Sequence, residues 1–183
     1  MATKNKWTID RTHSEIAFKV KHLMITNVKG VFNDYNASIY TTGDDFTTAE
    51  VDFWMDPNSL DTKDEKRDEH LRSSDFFDIA NHKEISFQSS SIESVDDDGS
   101  FELWGDLTIR GITKKIKLNV EFGGVVKDPW GSDRAGFTIN GTIHRKDWGL
   151  NWNTALEAGG VLVGDKVTIS CDVELIKSDE VVS

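Results

Sequence analysis

The residues best suited to chemistry in this chain are five histidines and one cysteine. The histidines do not form the H-x-H or H-x-x-x-H pairs that place two metal ligands on one face of a strand or helix. His13 and Ser14 are adjacent, but neighbouring strand residues point to opposite faces, so they could not share a proton. Cys171 lies on the apolar face of a predicted strand, where burial keeps a thiol protonated. We therefore predict no catalytic residue, cofactor or metal, with a metal site assembled from distant residues as the alternative.

Recognised catalytic and ion-binding motifs are missing as well. The chain contains no GxxxxGK[ST], GxGxxG, GxSxG or HExxH segment. Residues 96–99 (DDDG) resemble the start of a calcium loop, but the glycine comes fourth and the twelfth position is Leu107. This segment is predicted to be an acidic hairpin turn.

The elements that would position a site are strands, because apolar and polar residues alternate along most of the chain. Strong alternation covers residues 16–22, 50–55, 85–88, 101–110, 115–122, 136–144 and 167–175, with a weaker eighth segment at 31–40. Turn dipeptides such as Asp98-Gly99 and Arg110-Gly111 favour hairpins between them. Strands with one polar face indicate an antiparallel sheet, and closing that sheet hides its edges. The prediction is an all-β barrel, with a sandwich as the alternative.

One charged helix is predicted after a capping box at Thr62–Glu65, and it is expected to end near Arg72. Asp68 and Arg72 lie four residues apart, the spacing of a weak ion pair on a helix. The simplest interpretation is a solvated face. Alternatively, Arg67, His70 or Arg72 turns inward to hold a polar headgroup at a cavity mouth.

Four further residues indicate how the barrel could be shaped. Gly105 and Gly141 interrupt strands on their inward faces, which indicates a barrel bend or space for a ligand. Trp148 and Trp152 belong to a loop, where tryptophans cap an apolar pocket or simply pack over a barrel end.

Composition limits the classes of partner. The chain has 183 residues, most simply one domain over 1–183, with a net charge of −11. An acidic surface argues against nucleic-acid binding and disfavours contact with anionic lipid headgroups. No segment has the uninterrupted apolar length of a signal peptide or a membrane span. We expect a cytoplasmic protein without stable membrane insertion, and a single cysteine excludes an intrachain disulfide.

Several segments of the chain, by their sequence and their order, resemble the YceI-like proteins, a lipocalin-like group of polyisoprenoid-binding barrels. The resemblance runs from about Trp7 to Leu175, and its most specific part is DTKDEKRDEHLRSSDFFD at 61–78. Further matches are DRTHS at 10–14, GDLTIRGITK at 105–114 and RKDWGL at 145–150. The chain departs from the family at 81–84 (NHKE), where Tyr-Pro is common. Many members carry a secretion signal, and we expect none here because the sequence shows no segment of that type.

The resemblance implies an extended eight-stranded antiparallel lipocalin-like barrel with one or two short helices and an apolar tunnel. It also implies a long-chain ligand, such as an isoprenoid quinone, a polyprenyl phosphate or a fatty-acid derivative, and it allows a homodimer. The expected function is binding and sequestration or transport of this lipid. The alternatives are a lipid-modifying or redox enzyme on the same barrel and a ligand-free, stress-related scaffold with a filled core.

Ligand-binding residues follow from the inward-facing positions and from polar or aromatic residues near the predicted mouth. The predicted tunnel lining consists of Ile16, Phe18, Val20, Phe53, Met55, Phe87, Leu107, Leu118, Phe137 and Ile139. The predicted mouth residues are His22, Arg72, Arg145 and Trp148.

Overall fold

The computed structural model describes residues 3–96, 98–154, 156 and 162–182, with side chains described up to residue 179. Within these ranges the helix α1 spans Glu65–Arg72, and short 3₁₀ helices span Arg11–His13, Pro57–Ser59 and Arg145–Trp148. The strands are β1 (Lys4–Ile9), β2 (Glu15–His22), β3 (Thr26–Phe32), β4 (Tyr35–Thr42), β5 (Asp45–Met55), β6 (Leu60–Asp61), β7 (Ile85–Ser94), β8 (Ser100–Ile109), β9 (Ile112–Lys127), β10 (Asp133–His144) and β11 (Val163–Val182).

These eleven segments form a closed antiparallel barrel of eight strands, because three of the barrel strands are interrupted and each consists of two segments. The segments β1 and β2, β3 and β4, and β5 and β6 each continue one another past a short turn. The long strand β11 pairs with β10 on one side and with both β1 and β2 on the other, which closes the sheet. The predicted eight-stranded antiparallel barrel is confirmed.

Each of the seven strongly alternating segments lies within a single strand, apart from Arg110, which follows β8, and most of the strands extend further than the alternation indicates. The weaker segment at 31–40 is instead the end of β3 and most of β4, because the chain turns at Asn33 and Asp34. The Ser59 hydroxyl accepts hydrogen bonds from both of these backbone amides, at 3.1 and 3.0 Å, and so stabilises the turn. The hairpin at Arg110-Gly111 is confirmed, and both residues have the positive φ of a type I′ turn.

One end of the barrel is filled by aromatic rings. Phe46 lies 4.9 Å from Phe137 and 5.2 Å from Phe122, measured between ring centroids. Trp7 packs 5.0 Å from Phe46 and donates its indole N–H to the Thr41 hydroxyl at 2.9 Å. Turns β4–β5 and β9–β10 lie at this end, which we call the closed end.

The opposite end carries α1, which lies between β6 and β7 in the chain. Its N-cap is Asp64, whose carboxylate accepts from the amides of Lys66 and Arg67, so the predicted capping box at Thr62–Glu65 is corrected. Thr62 instead donates its amide and hydroxyl to the buried Asp68. None of the described helices is long and apolar enough to cross a membrane.

The predicted Asp68–Arg72 ion pair is corrected as well. Arg72 donates Nε to the Asn58 carbonyl and Nη2 to the Leu60 carbonyl, both at 3.1 Å. Asp68 already has its partner in Thr62. Arg72 holds the end of α1 against the 3₁₀ helix Pro57–Ser59 and the first residue of β6.

Candidate functional site

The barrel encloses an apolar cavity of about 530 Å³ between the closed end and α1. This volume lies in the range of roughly 300 to 1,000 Å³ common for small-molecule sites. Side chains from all eight barrel strands line it, because alternate residues of each strand point inward. On β11 the alternating lining residues are Val167, Ile169, Cys171 and Val173.

The cavity is deep as well as apolar. Lining residues on β11 extend from Val163 to Val173, ten steps along the strand. At about 3.3 Å per step and a strand tilt near 40°, this corresponds to roughly 25 Å along the barrel axis. The cavity therefore has the proportions of a tunnel.

Charged side chains of the described lining lie at the α1 end, which we call the mouth. The charged and titratable lining residues come from the end of β2, from the N-cap and first turns of α1, and from the 3₁₀ helix after β10. They comprise Lys21, His22, Asp64, Lys66, Arg67, His70 and Arg145. The Arg67 guanidinium is held in place by Thr62, accepting at 2.8 Å through its hydroxyl and at 2.6 Å through its carbonyl. Cationic groups thus outnumber the one carboxylate at the mouth.

Three aromatic rings connect α1 to the loop before β11. His70 packs edge-on against Trp152, with ring centroids 4.5 Å apart, and against Phe76 at 5.1 Å. Phe76 and Trp152 contact each other at 5.6 Å, and all three line the cavity. The Asp75 carboxylate lies 2.9 Å from His70 Nε2 and fixes the ring. This aromatic cluster narrows the mouth.

Arg145 lines the cavity, but its hydrogen bonds go to the protein. It donates Nε to the Gly164 carbonyl at 2.8 Å and Nη2 to the Val163 carbonyl at 3.2 Å. Nη1 donates to the carbonyls of Leu150 and Trp152, so four of its five N–H groups are used. Burial lowers the pKa of this guanidinium. Arg145 therefore secures the loop that forms one wall of the mouth.

Eleven of the fourteen residues predicted to bind ligand line the cavity, and whether they contact a ligand stays a prediction. They are Ile16, Phe18, Val20, His22, Phe53, Met55, Phe87, Leu107, Leu118, Ile139 and Arg145.

The other three are corrected, because their side chains lie outside the lining. Arg72 is bound to the carbonyls of Asn58 and Leu60. Phe137 belongs to the aromatic filling of the closed end. Trp148 is only 2% exposed and donates its indole N–H to the Leu107 carbonyl at 2.9 Å, so it packs over the barrel end.

Several mouth residues were not among the predicted site residues. The sequence offers Arg67 and His70 only beside Arg72 as helix residues that could turn inward, and it gives no reason to place Phe76 in the site, yet all three of Arg67, His70 and Phe76 line the cavity. The α1 segment has the charged composition of a solvated face, which gives no signal of an inward orientation. The one sequence feature that points to the mouth is the presence of two tryptophans, Trp148 and Trp152, in the same predicted loop. Of these two, only Trp152 lines the cavity.

Close packing of the lining explains why glycines interrupt two of the strands and why the cysteine is buried. A Cβ on Gly105 would lie 2.4 Å from the Phe87 ring, and one on Gly141 would lie 2.6 Å from Leu118. These glycines make room for neighbouring side chains of the lining. The predicted buried thiol of Cys171 is confirmed, and burial raises its pKa to about 11.

A second group of titratable residues lies at the bend between β1 and β2. His13 Nδ1 lies 2.7 Å from Asp10 Oδ2 and 3.4 Å from Glu174 Oε2. Arg134 Nη1 lies 2.8 Å from each of these two carboxylates, so a guanidinium already supplies the positive charge between them. The hydrogen bond with His13, assisted by Arg134, lowers the pKa of Asp10 to about 2. This ion network secures the bend.

Comparison with known proteins agrees with this architecture. A UPF0312 protein of Staphylococcus aureus is 38% identical over 174 residues, covering 94% of this chain and 98% of the relative. The structure of a Campylobacter jejuni YCEI protein is 31% identical with a TM-score of 0.75, covering 87% of this chain and 90% of that one.

A more distant structure shows the same fold. A polyisoprenoid binding domain from Saccharophagus degradans, implicated in plant cell wall breakdown, is 17% identical with a TM-score of 0.69 and covers 94% of this chain and 98% of that one. The family model described as the YceI-like domain matches residues 7–175. The chain therefore belongs to the family of YceI-like proteins.

Proposed function

We propose that this protein binds one long-chain lipid of the isoprenoid type inside the barrel and carries or sequesters it without chemical change. The observation that supports this most directly is the deep apolar cavity with its charged groups gathered at one end. An amphiphile with one polar end and one long apolar chain matches that distribution.

Burial of the chain supplies the binding energy. Each methylene transferred from water into the cavity contributes about 0.8 kcal/mol, although ordering of the chain offsets part of the total. A tunnel of roughly 25 Å is long enough to hold a long apolar chain in an extended form. The name of the Saccharophagus degradans domain supports the same ligand class.

The mouth favours an anionic headgroup. Lys21, Lys66 and Arg67 line it against the single carboxylate of Asp64. Among the described residues, neither Lys21 nor Lys66 has an ion-pair partner, and both are exposed at the rim. A phosphate at the end of a polyprenyl chain would meet these cations, whereas an uncharged headgroup would not use them.

Catalysis is the alternative, and the cavity gives it little support. The Cys171 thiol has a pKa of about 11 because of burial, so it stays protonated near neutral pH and is a poor nucleophile. Incubation of the purified protein with polyprenyl phosphate and a quinone should return both unchanged. A new product that disappears on substitution of His22 or His70 would favour the enzyme.

The test is organic extraction of the purified protein followed by mass spectrometry, with unfolded protein as the control. We expect one lipid per barrel, and competition in vitro should rank polyprenyl phosphate above the matched polyprenol. A blank that persists after incubation with both compounds and a quinone would contradict the proposal and favour a filled, ligand-free barrel.

Substitutions on β5 sharpen this test. Phe53→Asp places a carboxylate on the lining and should abolish lipid binding, whereas Trp54→Asp changes the adjacent, outward-facing residue and should not. If Phe53→Asp unfolds the barrel, Met55→Trp narrows the same cavity without burying a charge. A folded Phe53→Asp or Met55→Trp variant with normal lipid content would contradict the proposed binding site.

A further inference from the structure

The turn between β2 and β3 is an exposed apolar tip beside the mouth. Leu23, Met24 and Ile25 are 40%, 57% and 76% exposed, and they follow one another in the chain. His22, the residue immediately before them, lines the cavity. The Leu23 amide donates to the Leu162 carbonyl at 2.9 Å, which holds the tip next to the mouth.

The hairpin that carries this tip is locally basic in an acidic protein. The β2–β3 hairpin, from Glu15 to Phe32, contains three lysines and one glutamate, although the whole chain has a net charge of −11. Lys19 and Lys29 lie directly opposite each other in the β2–β3 register, an unfavourable placement for two like charges. Lys29 contacts Glu15 at 2.6 Å, whereas Lys19 and Lys21 have no ion-pair partner among the described residues.

We propose that the β2–β3 hairpin docks this protein on the surface of an anionic lipid bilayer. The three tip residues enter the headgroup region, and Lys19 and Lys21 contact the anionic headgroups. The charge of the distant surface opposes this only weakly, because interactions between exposed charges are screened beyond about 10 Å at 0.1 M salt. Docking at this point brings the mouth to the bilayer, where an insoluble lipid can enter without crossing water.

The other prominent apolar tip does not fit the same partner. Trp130 is 83% exposed and Val126 67% exposed, but both belong to the β9–β10 hairpin at the closed end. Asp128 and Asp133 flank that turn, and Lys127 lies 3.5 Å from Asp133. An acidic tip far from the mouth would be repelled by anionic headgroups, and it serves as a matched control.

The experiment is flotation of the full chain with vesicles of phosphatidylcholine alone and of phosphatidylcholine mixed with phosphatidylglycerol. We expect binding to the mixed vesicles that weakens as salt rises. Met24→Ser combined with Ile25→Ser should weaken it about tenfold or more, because the tip then buries little apolar area. Val126→Ser combined with Trp130→Ser should leave it unchanged. Circular dichroism checks that every variant keeps the barrel.

The docking role rests on the proposed lipid-binding function, and the two can fail separately. The Met24 and Ile25 variant should bind polyprenyl phosphate normally from detergent, since neither residue lines the cavity, yet take it up more slowly from vesicles. The docking inference is overturned if the protein does not float with the mixed vesicles at low salt. It is also overturned if the Val126 and Trp130 variant loses as much vesicle binding as the Met24 and Ile25 variant. If the protein floats with the vesicles but binds no polyprenyl phosphate from detergent, the proposed function is overturned while the docking inference holds.

Discussion

The ring of Phe18 lies over Gly30, its direct partner on the neighbouring strand. A Cβ placed on Gly30 would be 2.3 Å from Cζ of that ring, well inside van der Waals contact. Because Phe18 lines the cavity, the missing side chain at Gly30 lets the ring lie back against the wall. The width of the tunnel at this level thus depends on a residue that contributes no side chain to it.

Gly30→Ala should therefore narrow the cavity. The added methyl group would push the Phe18 ring inward, weaken lipid binding about tenfold, and cost about 1 to 3 kcal/mol of stability. Titration with a fluorescent lipid and thermal unfolding would measure the two effects. Gly136→Ala is the control, because a Cβ there meets no atom within 4 Å. Equal lipid affinity in both variants would show that Phe18 does not set the width.

Arg145→Met should loosen the wall of the mouth. The carbonyls of Leu150, Trp152 and Gly164 would lose their charged donor, and we expect a loss of about 3 kcal/mol in unfolding free energy. Chemical denaturation would measure it, with Lys146→Met as a control at the exposed neighbouring position. A loss no larger than that of the control would mean that water replaces these hydrogen bonds.

Alternation along the strands predicts part of the site and fails for a physical reason. Ile16, Phe18 and Val20 line the cavity because every second residue of a barrel strand points inward. Phe137 follows the same alternation, yet it packs against Phe46 at the closed end. Periodicity reports which face of the sheet a residue occupies, but not whether the interior at that level is filled or open.

The mouth is harder to predict than the barrel. His70 is placed by its contact with Trp152, a residue from a distant loop, and no local pattern encodes that contact. Arg72 and Arg67 belong to the same charged helix, and only packing decides that Arg67 faces the cavity. The family resemblance implied a tunnel, but the identity of the mouth residues required the three-dimensional arrangement.

Stability should depend on pH through the network at the bend between β1 and β2. The pKa of Asp10 falls from 3.8 to about 2, mainly through its hydrogen bond with His13, so its stabilising effect is present above about pH 4 and is lost toward pH 2. The same hydrogen bond raises the pKa of His13 above 6.5, so its contribution is complete below pH 6.5 and is lost as pH rises through the raised value.

Asp10→Asn tests both effects. The melting temperature of this variant should vary less between pH 4 and pH 2 than that of the unmodified protein, and the pKa of His13, followed by NMR, should move back toward 6.5. Asp106→Asn, which changes an exposed carboxylate on β8, is the control. An unchanged His13 titration in Asp10→Asn would contradict the pairing.

The aromatic cluster at the mouth should control how fast the lipid leaves. Trp152→Ala removes the ring that contacts both His70 and Phe76, so the link between α1 and the loop before β11 is lost. We expect release to become about tenfold faster, with a smaller change in association, because affinity changes of this kind reside mainly in the dissociation rate. Stopped-flow transfer of a fluorescent lipid to acceptor vesicles would measure the rate. Trp130→Ala, at the closed end, should release lipid at the original rate, and equal acceleration in both variants would place the exit elsewhere.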